Sequence, residues 1–237
     1  MLMQNRGNTL LLRAISPDDS AWLAKTYANT EFVTLYCSTV NAVDEDTIRQ
    51  SLIERDKLSP EQVGFIEYVI VHPKFDRIGL VTLGNYSPLH SRAEFLIGIV
   101  DPAHRHSMFS VEATLLTLDL AFNAYHLNKI FTYVYGYNEY SERNTVKFGF
   151  RQEGLLKEHH FCQIENRFVD LYINGMTLAD FRNNERIAGF SRKLLGRDIT
   201  LAPQRLQGPA VQEVPVENPS RLIDALRNLA TAAGSVH

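Results

Sequence analysis

Cysteine is scarce. The chain of 237 residues carries Cys37 and Cys162 and no CxxC pair. That excludes a disulfide framework and a cysteine-built zinc site, and leaves two buried free thiols in a reducing compartment as the expectation. Charge of one sign is also lacking. Lys and Arg number 24 against 27 Asp and Glu, a formal net charge of −3 with no strongly basic block. A broad cationic surface for nucleic acid is thereby disfavoured, and a small-molecule or protein substrate fits better. No stretch approaches the ~20 apolar residues of a membrane-spanning helix. Met1 to Asn8 lacks the apolar run of a secretory leader. The expectation is no membrane partner and a cytoplasmic location.

What is present suits one globular domain with extensions: 45% hydrophobic residues can build a sizeable core. Thr9–Ile15 reads as a strand. Ser16-Pro17-Asp18-Asp19 then combines an N-cap serine, a first-turn proline and two acids, a strong helix start. A second helix opens at Asp44-Glu45-Asp46 with Ile48, Leu52 and Ile53 as its apolar stripe, and Leu58-Ser59-Pro60 ends it. Phe65–Val71 and Ile78–Leu83 form a hairpin. Ala93–Val100 is almost wholly apolar, as a strand covered on both faces would be.

Ser110–Leu127 is apolar over so wide an arc that it predicts a largely buried helix. Lys129–Tyr135 is a further strand, and Glu139–Lys147 a short helix stopped by Gly149. Leu155–Cys162 and Arg167–Ile173 close with a hairpin. This succession predicts an α/β fold, a mixed sheet with helices on both faces. Three parts are expected: a domain over 1–181, a helical or extended linker arm over 182–217 whose charged start, Phe181 to Arg197, suits a helix and whose later part carries Pro203, Pro209 and Pro215, and an amphipathic helix and tail over 218–237. That last helix would dock on its own domain, on a homodimer mate or on a partner protein.

Three segments resemble the GNAT (Gcn5-related N-acetyltransferase) superfamily. They are Ala93-Glu94-Phe95 leading through Asp101-Pro102 to Glu112-Ala113; Leu127-Asn128-Lys129-Ile130; and Asn138-Glu139-Tyr140-Ser141 with Lys147-Phe148-Gly149-Phe150-Arg151-Gln152-Glu153-Gly154. The spermidine and aminosugar N-acetyltransferase branch and the ribosomal-protein alanine N-acetyltransferases look most similar. The likeness spans residues 9 to 181. It implies a fold in which strands 93–100 and 130–136 run parallel and splay at one end. The acetyl-CoA co-substrate would lie in that gap, with no metal.

The resemblance also implies a donor loop of R/Q-x-x-G-x-G/A before the long helix, whose amides cradle a pyrophosphate. Here it reads Arg105-His106-Ser107-Met108-Phe109-Ser110. Met108 stands at the central glycine, and Ser110 at the second glycine or alanine. The helix N-terminus, with Arg105, His106, Ser107 and Ser110 as added donors, still suits a pantetheine-bearing donor, either CoA or an acyl carrier protein. Gly98 and Val100 on the strand, and Asn138 and Arg143 on the short helix, complete the implied donor site.

For chemistry, an amine must lose a proton and a thiolate must gain one. The tyrosine of many relatives is Thr145 here. Ser141 is the first choice to protonate the thiolate; a donor-binding serine is the alternative. Glu94, on the strand lining the cleft, is the leading base; an exposed strand-end carboxylate is the alternative. His159 and His160 are adjacent on a strand and face opposite sides, which does not suit a metal site. The resemblance implies an N-acyltransferase acting on a small amine such as an aminosugar or polyamine. A protein N-terminus is the second acceptor, and a GNAT-shaped binding module the reading from another class.

Overall fold

In the computed structural model, which describes residues 3–36, 43–105, 107–162 and 165–202, the first strands are β1 (Asn5–Arg6) and β2 (Leu11–Ala14). Ser16 then closes a capping box with Asp19 around a short 3-10 turn, Pro17–Asp19. From this turn runs α1 (Ser20–Tyr27), followed by α2 (Thr30–Tyr36) and α3 (Glu45–Arg55). Asp44 caps α3 by accepting from the Thr47 amide at 2.9 Å. Ser59-Pro60 does not merely end a helix; it caps a further single turn, α4 (Pro60–Val63). The hairpin of β3 (Ile66–His72) and β4 (Asp76–Ser87) precedes β5 (Arg92–Ile99).

A one-turn helix, α5 (Pro102–Arg105), leads into α6 (Phe109–Asp119), which ends in a π-helical turn over Leu120–Ala124. Then come β6 (Lys129–Tyr135), α7 (Glu139–Phe148), β7 (Arg151–Cys162) and β8 (Arg167–Thr177). The described chain closes with α8 (Leu178–Arg182) and α9 (Glu185–Leu195). The eight described strands form one sheet in the order β1-β2-β3-β4-β5-β6-β8-β7. Every pairing is antiparallel except β5 with β6.

The sheet has apolar cores on both faces, as the near-continuous apolar character of β5 requires. On one face α6 is buried from Glu112 through Leu118, and it packs with Leu83, Phe95 and Ile130. On the other, Leu23, Phe32, Tyr36, Ile48 and Leu52 of α1–α3 cover Val69 and Leu80. Glu112 is 2% exposed within this apolar layer. One of its carboxylate oxygens accepts the Thr9 and Leu10 amides at 2.8 and 2.9 Å. The turn at Gly7 comes so close that a side chain there would run into that oxygen. One buried carboxylate thus staples the first strand turn to the central helix.

The compact unit runs through Ala202, further than the boundary at 181 expected from sequence. The charged stretch after Asp180 is helical as expected, but it packs on the domain: Ile187, Ala188, Ser191 and Leu195 form one buried face of α9. Asn8 donates its amide to the Leu194 carbonyl at 3.1 Å, tying this helix to the N-terminal strands. The expected arm beyond 202 and the helix near 218–232 lie outside the described residues, as does Cys37. Cys162 is a buried free thiol. No described helix is long and apolar enough to cross a membrane.

Asp19 links the first cap to the sheet. It is fully buried and accepts from Arg13 at 2.7 Å and from Arg77 at 3.2 Å. Burial works to raise its pKa, but Arg13, the Ser16 amide and Arg77 together hold it below the ordinary carboxylate value. A depressed folded-state pKa stabilises the fold above the unfolded value, and that contribution fades as pH falls through the folded value. Asp19→Ala should therefore cost about 2 kcal/mol at neutral pH. The difference from the parent chain should shrink below about pH 4. Urea unfolding at pH 7 and pH 3 checks this; an equal difference at both values would refute the linkage.

Candidate active site

The parallel contact between β5 and β6 lasts for only three residue pairs: Arg92 with Lys129, Ala93 with Ile130, and Glu94 with Phe131. Beyond that point β5 stays paired to β4 as far as Ile99. β6 stays paired to β8 as far as Tyr135. Each arm keeps its outer partner, so the inner ladder splits and leaves a wedge-shaped gap. Backbone groups along its two edges are open to a ligand that carries amides of its own.

The gap joins two chemically distinct faces. Glu94 is in register with Phe131 and points to the same side as Leu96 and Val100, which pack on the α1–α3 core. The opposite face carries Thr132 and, beside it on β8, Asn174. There the Asn174 side-chain amide donates to Glu142 of α7 at 2.8 Å. Glu94 and the first turn of α7 thus stand on opposite sides of the sheet, connected only through the opening.

The residues expected to form the donor loop, His106 aside, have definite places. Arg105 turns back onto its own strand and donates to the carbonyls of Ile99 and Val100, both at 3.1 Å. It also pairs with Glu31 of α2. Its guanidinium therefore shapes the loop. His106 lies outside the described residues. Ser107 accepts the Phe109 amide at 3.2 Å and so caps the helix entry. Met108 is 46% exposed, so it does not fill the loop from within. Phe109 packs between His72 at 4.9 Å and His104 at 5.6 Å, pinning the start of α6 to the β3–β4 turn. Ser110 lies in the first helical turn, half-buried. An α-helix leaves its first-turn amides without internal partners, and its N-terminus favours an anion.

Gly98 has a different neighbour from the one its position in the gap suggested. A Cβ there would lie 2.6 Å from the Phe32 ring. The missing side chain admits the aromatic face of α2. Val100 donates its amide to Ile78 at 2.9 Å. Asn138 caps α7 by accepting the Ser141 amide at 3.1 Å. Ser141 is half-buried in the first turn, and Arg143 is exposed one turn further on.

Glu94 is half-buried at the vertex of the gap and accepts from the Asn85 side chain at 2.6 Å. Burial raises its pKa, and the Asn85 hydrogen bond only partly offsets this. On the far side Glu142 is raised in the same way, by burial against the pull of Asn174. Beside Glu94 opens a cleft of about 640 Å3, lined by Asn85, Arg92, Lys129, Phe131, Tyr133 and Glu153 among others. Asp170 accepts the Glu158 amide at 2.8 Å, which occupies it within the final hairpin. Among the described residues no group of three His, Cys, Asp or Glu could hold a metal ion.

Sequence reading missed α2, which spans the open end of the gap. Glu31 reaches Arg105 after the β5 arm, and Thr34 accepts from Tyr137 after the β6 arm at 2.7 Å. A local signal existed: Asn29 caps the helix through the Phe32 amide at 3.1 Å, with Phe32 and Tyr36 four residues apart. The pairing of Glu94 with Asn85 had no such signal, because it crosses a bulge between β4 and β5.

Comparison with known proteins agrees with this geometry. Residues 9–151 match the family described as Acetyltransferase (GNAT) domain. The uncharacterized N-acetyltransferase YoaA of Bacillus subtilis (strain 168) is 26% identical over 152 residues, which cover 64% of this chain and 85% of that protein. The fold is similar to that of the spermidine N-acetyltransferase from Vibrio cholerae in complex with CoA and spermine. There the TM-score is 0.66 at 23% identity, over 74% of this chain and 99% of that one. A crystal structure of a probable acetyltransferase matches with a TM-score of 0.64 at 19% identity, over 74% and 97% of the two chains.

The Glu94 environment makes a direct prediction. Its carboxyl should titrate above the ordinary glutamate range, and Asn85→Ala should move it higher still by removing the bond that favours the ionised form. Carbon-detected NMR titration of the side chain reads both shifts. An ordinary midpoint, or a fall on Asn85→Ala, would contradict the burial argument.

Proposed function

Since the chain belongs to the GNAT acetyltransferase family, we propose that it transfers the acetyl group of acetyl-CoA to the primary amine of a small molecule. The observation that carries this reading is the wedge between β5 and β6, with Glu94 at its vertex on one face and the first turn of α7 on the other. A thioester threaded through such a gap exposes its carbonyl to one face and its leaving sulfur to the other.

The donor pyrophosphate would rest on the first-turn amides of α6, helped by the hydroxyls of Ser107 and Ser110. Arg105 serves this site indirectly by holding the end of β5. The pantetheine arm would run along the edge of β5 beside Gly98 and Val100, pairing with the backbone groups between them that face away from β4, with Asn138 and Arg143 on the α7 side. The amine enters from the face of Glu94. Its nitrogen attacks the thioester carbonyl carbon; the C–N bond forms and the C–S bond breaks. Glu94 accepts the amine proton, directly or through one water, and Ser141 passes a proton to the departing thiolate while regaining one from solvent, to which Glu94 later releases its own. An amide on the open edge of β5 can stabilise the oxyanion between these steps. A carboxyl raised by burial suits the base, because its pKa then lies nearer the working pH. The Vibrio cholerae relative was solved with CoA and spermine, which supports an amine acceptor.

Titration calorimetry with acetyl-CoA is the first test, with pantetheine-loaded carrier protein in parallel. Binding of acetyl-CoA supports the CoA reading, and binding of the carrier alone redirects it. Binding of neither leaves a scaffold for another ligand. In steady-state assays of thiol release, Ser141→Ala should lower kcat by about 100-fold. The rate should climb with pH through the Glu94 pKa, and Glu94→Gln should remove that limb. A profile that keeps the limb in Glu94→Gln would assign the base elsewhere.

A further inference from the structure

The cleft beside Glu94 is built asymmetrically in charge. Arg92 and Glu94 are two residues apart on β5 and leave the same face of the sheet, roughly 7 Å from each other. Phe131, in register with Glu94, forms the apolar floor, and the Arg92 guanidinium stands 5.9 Å from its ring centre. Lys129 is paired with Glu153 at 2.6 Å. Glu94, at the edge of the cleft, receives only the neutral Asn85 amide at 2.6 Å. Arg92 is exposed and has no ion pair among the described residues. Among the charged residues that line the cleft it alone lacks an ion partner, and it is a cation.

We propose that this cleft takes the acceptor, and that the acceptor is an amine that also bears a phosphate or carboxylate. The oxyanion would meet Arg92, the amine would face Glu94, and the body between them would lie on Phe131. This rests on the transferase reading and narrows it. Guanidinium is suited to oxyanions because its donors form a planar fork that binds two oxygens together. A polyamine would instead bring a second ammonium group against Arg92, where like charges repel.

Matched pairs of acceptors test the idea: glucosamine 6-phosphate against glucosamine, and 6-aminohexanoate against hexylamine, with spermidine as the fifth. The expected result is that kcat/KM for at least one oxyanion-bearing amine exceeds that of its counterpart without the oxyanion and of spermidine by about tenfold or more. Which pair responds separates phosphate from carboxylate. Arg92→Ala should collapse that ratio while melting at the parent temperature, since the side chain is exposed. Equal rates within both pairs, a preference for spermidine, or a ratio that survives Arg92→Ala would overturn the proposal and leave the transferase reading standing. Acetyl transfer to none of the five would overturn the proposal as well, and the acetyl-CoA titration then decides separately whether the transferase reading stands.

Discussion

Three rungs of parallel pairing between β5 and β6 govern this molecule. Were the ladder longer, the sheet would close and no gap would exist. Were it absent, the two halves of the sheet would have no common hydrogen-bonded seam. The short contact survives because each strand is held on its outer side, β5 by β4 and β6 by β8, over nearly its full length. Unpaired backbone inside a protein is costly unless water or a ligand satisfies it. A gap of this kind is therefore a standing invitation to a chain-like ligand with amides of its own.

The rest of the structure keeps the two arms apart. Arg105 ties the end of β5 to α2 through the Ile99 and Val100 carbonyls and Glu31. Tyr137, just after β6, reaches the same helix at Thr34. α2 thus bridges the mouth of the wedge, and Gly98 allows its rings to lie against β5. Beneath the sheet, Glu112 anchors α6 to the first strand turn, so the helix that would meet the donor phosphates cannot shift along its axis without breaking two charge-assisted hydrogen bonds. Fold and site share these fastenings.

Much of this was legible in the sequence. The cap at Ser16, the buried helix after Ser110, the strand at Ala93–Val100 and the stop at Gly149 all appear where local pattern puts them. Strand alternation also placed Glu94, Leu96, Gly98 and Val100 on one face. The extent of the domain was not legible, because charged residues dominate the stretch after Asp180 while its buried face is narrow. The role of Arg105 was not legible either. A family pattern marks it as a donor residue, yet its partners are the Glu31 carboxylate of α2 and two carbonyls brought close by the turn of α5.

Sequence by itself determined most of the elements and pointed to the family, because caps, turn residues and hydrophobic periods act over a few residues at a time. It also shows Met108 where the family pattern has its central glycine, and Ser110 where it has glycine or alanine. Only the tertiary structure decided which groups meet. Asn85 reaches Glu94 across a bulge, Arg92 is left without an ion pair above Phe131, and Lys129 is taken by Glu153. Those outcomes depend on the register of strands far apart in the chain and on how helices settle onto them. Register follows from the packing of the whole sheet at once, and no local stretch of residues encodes it.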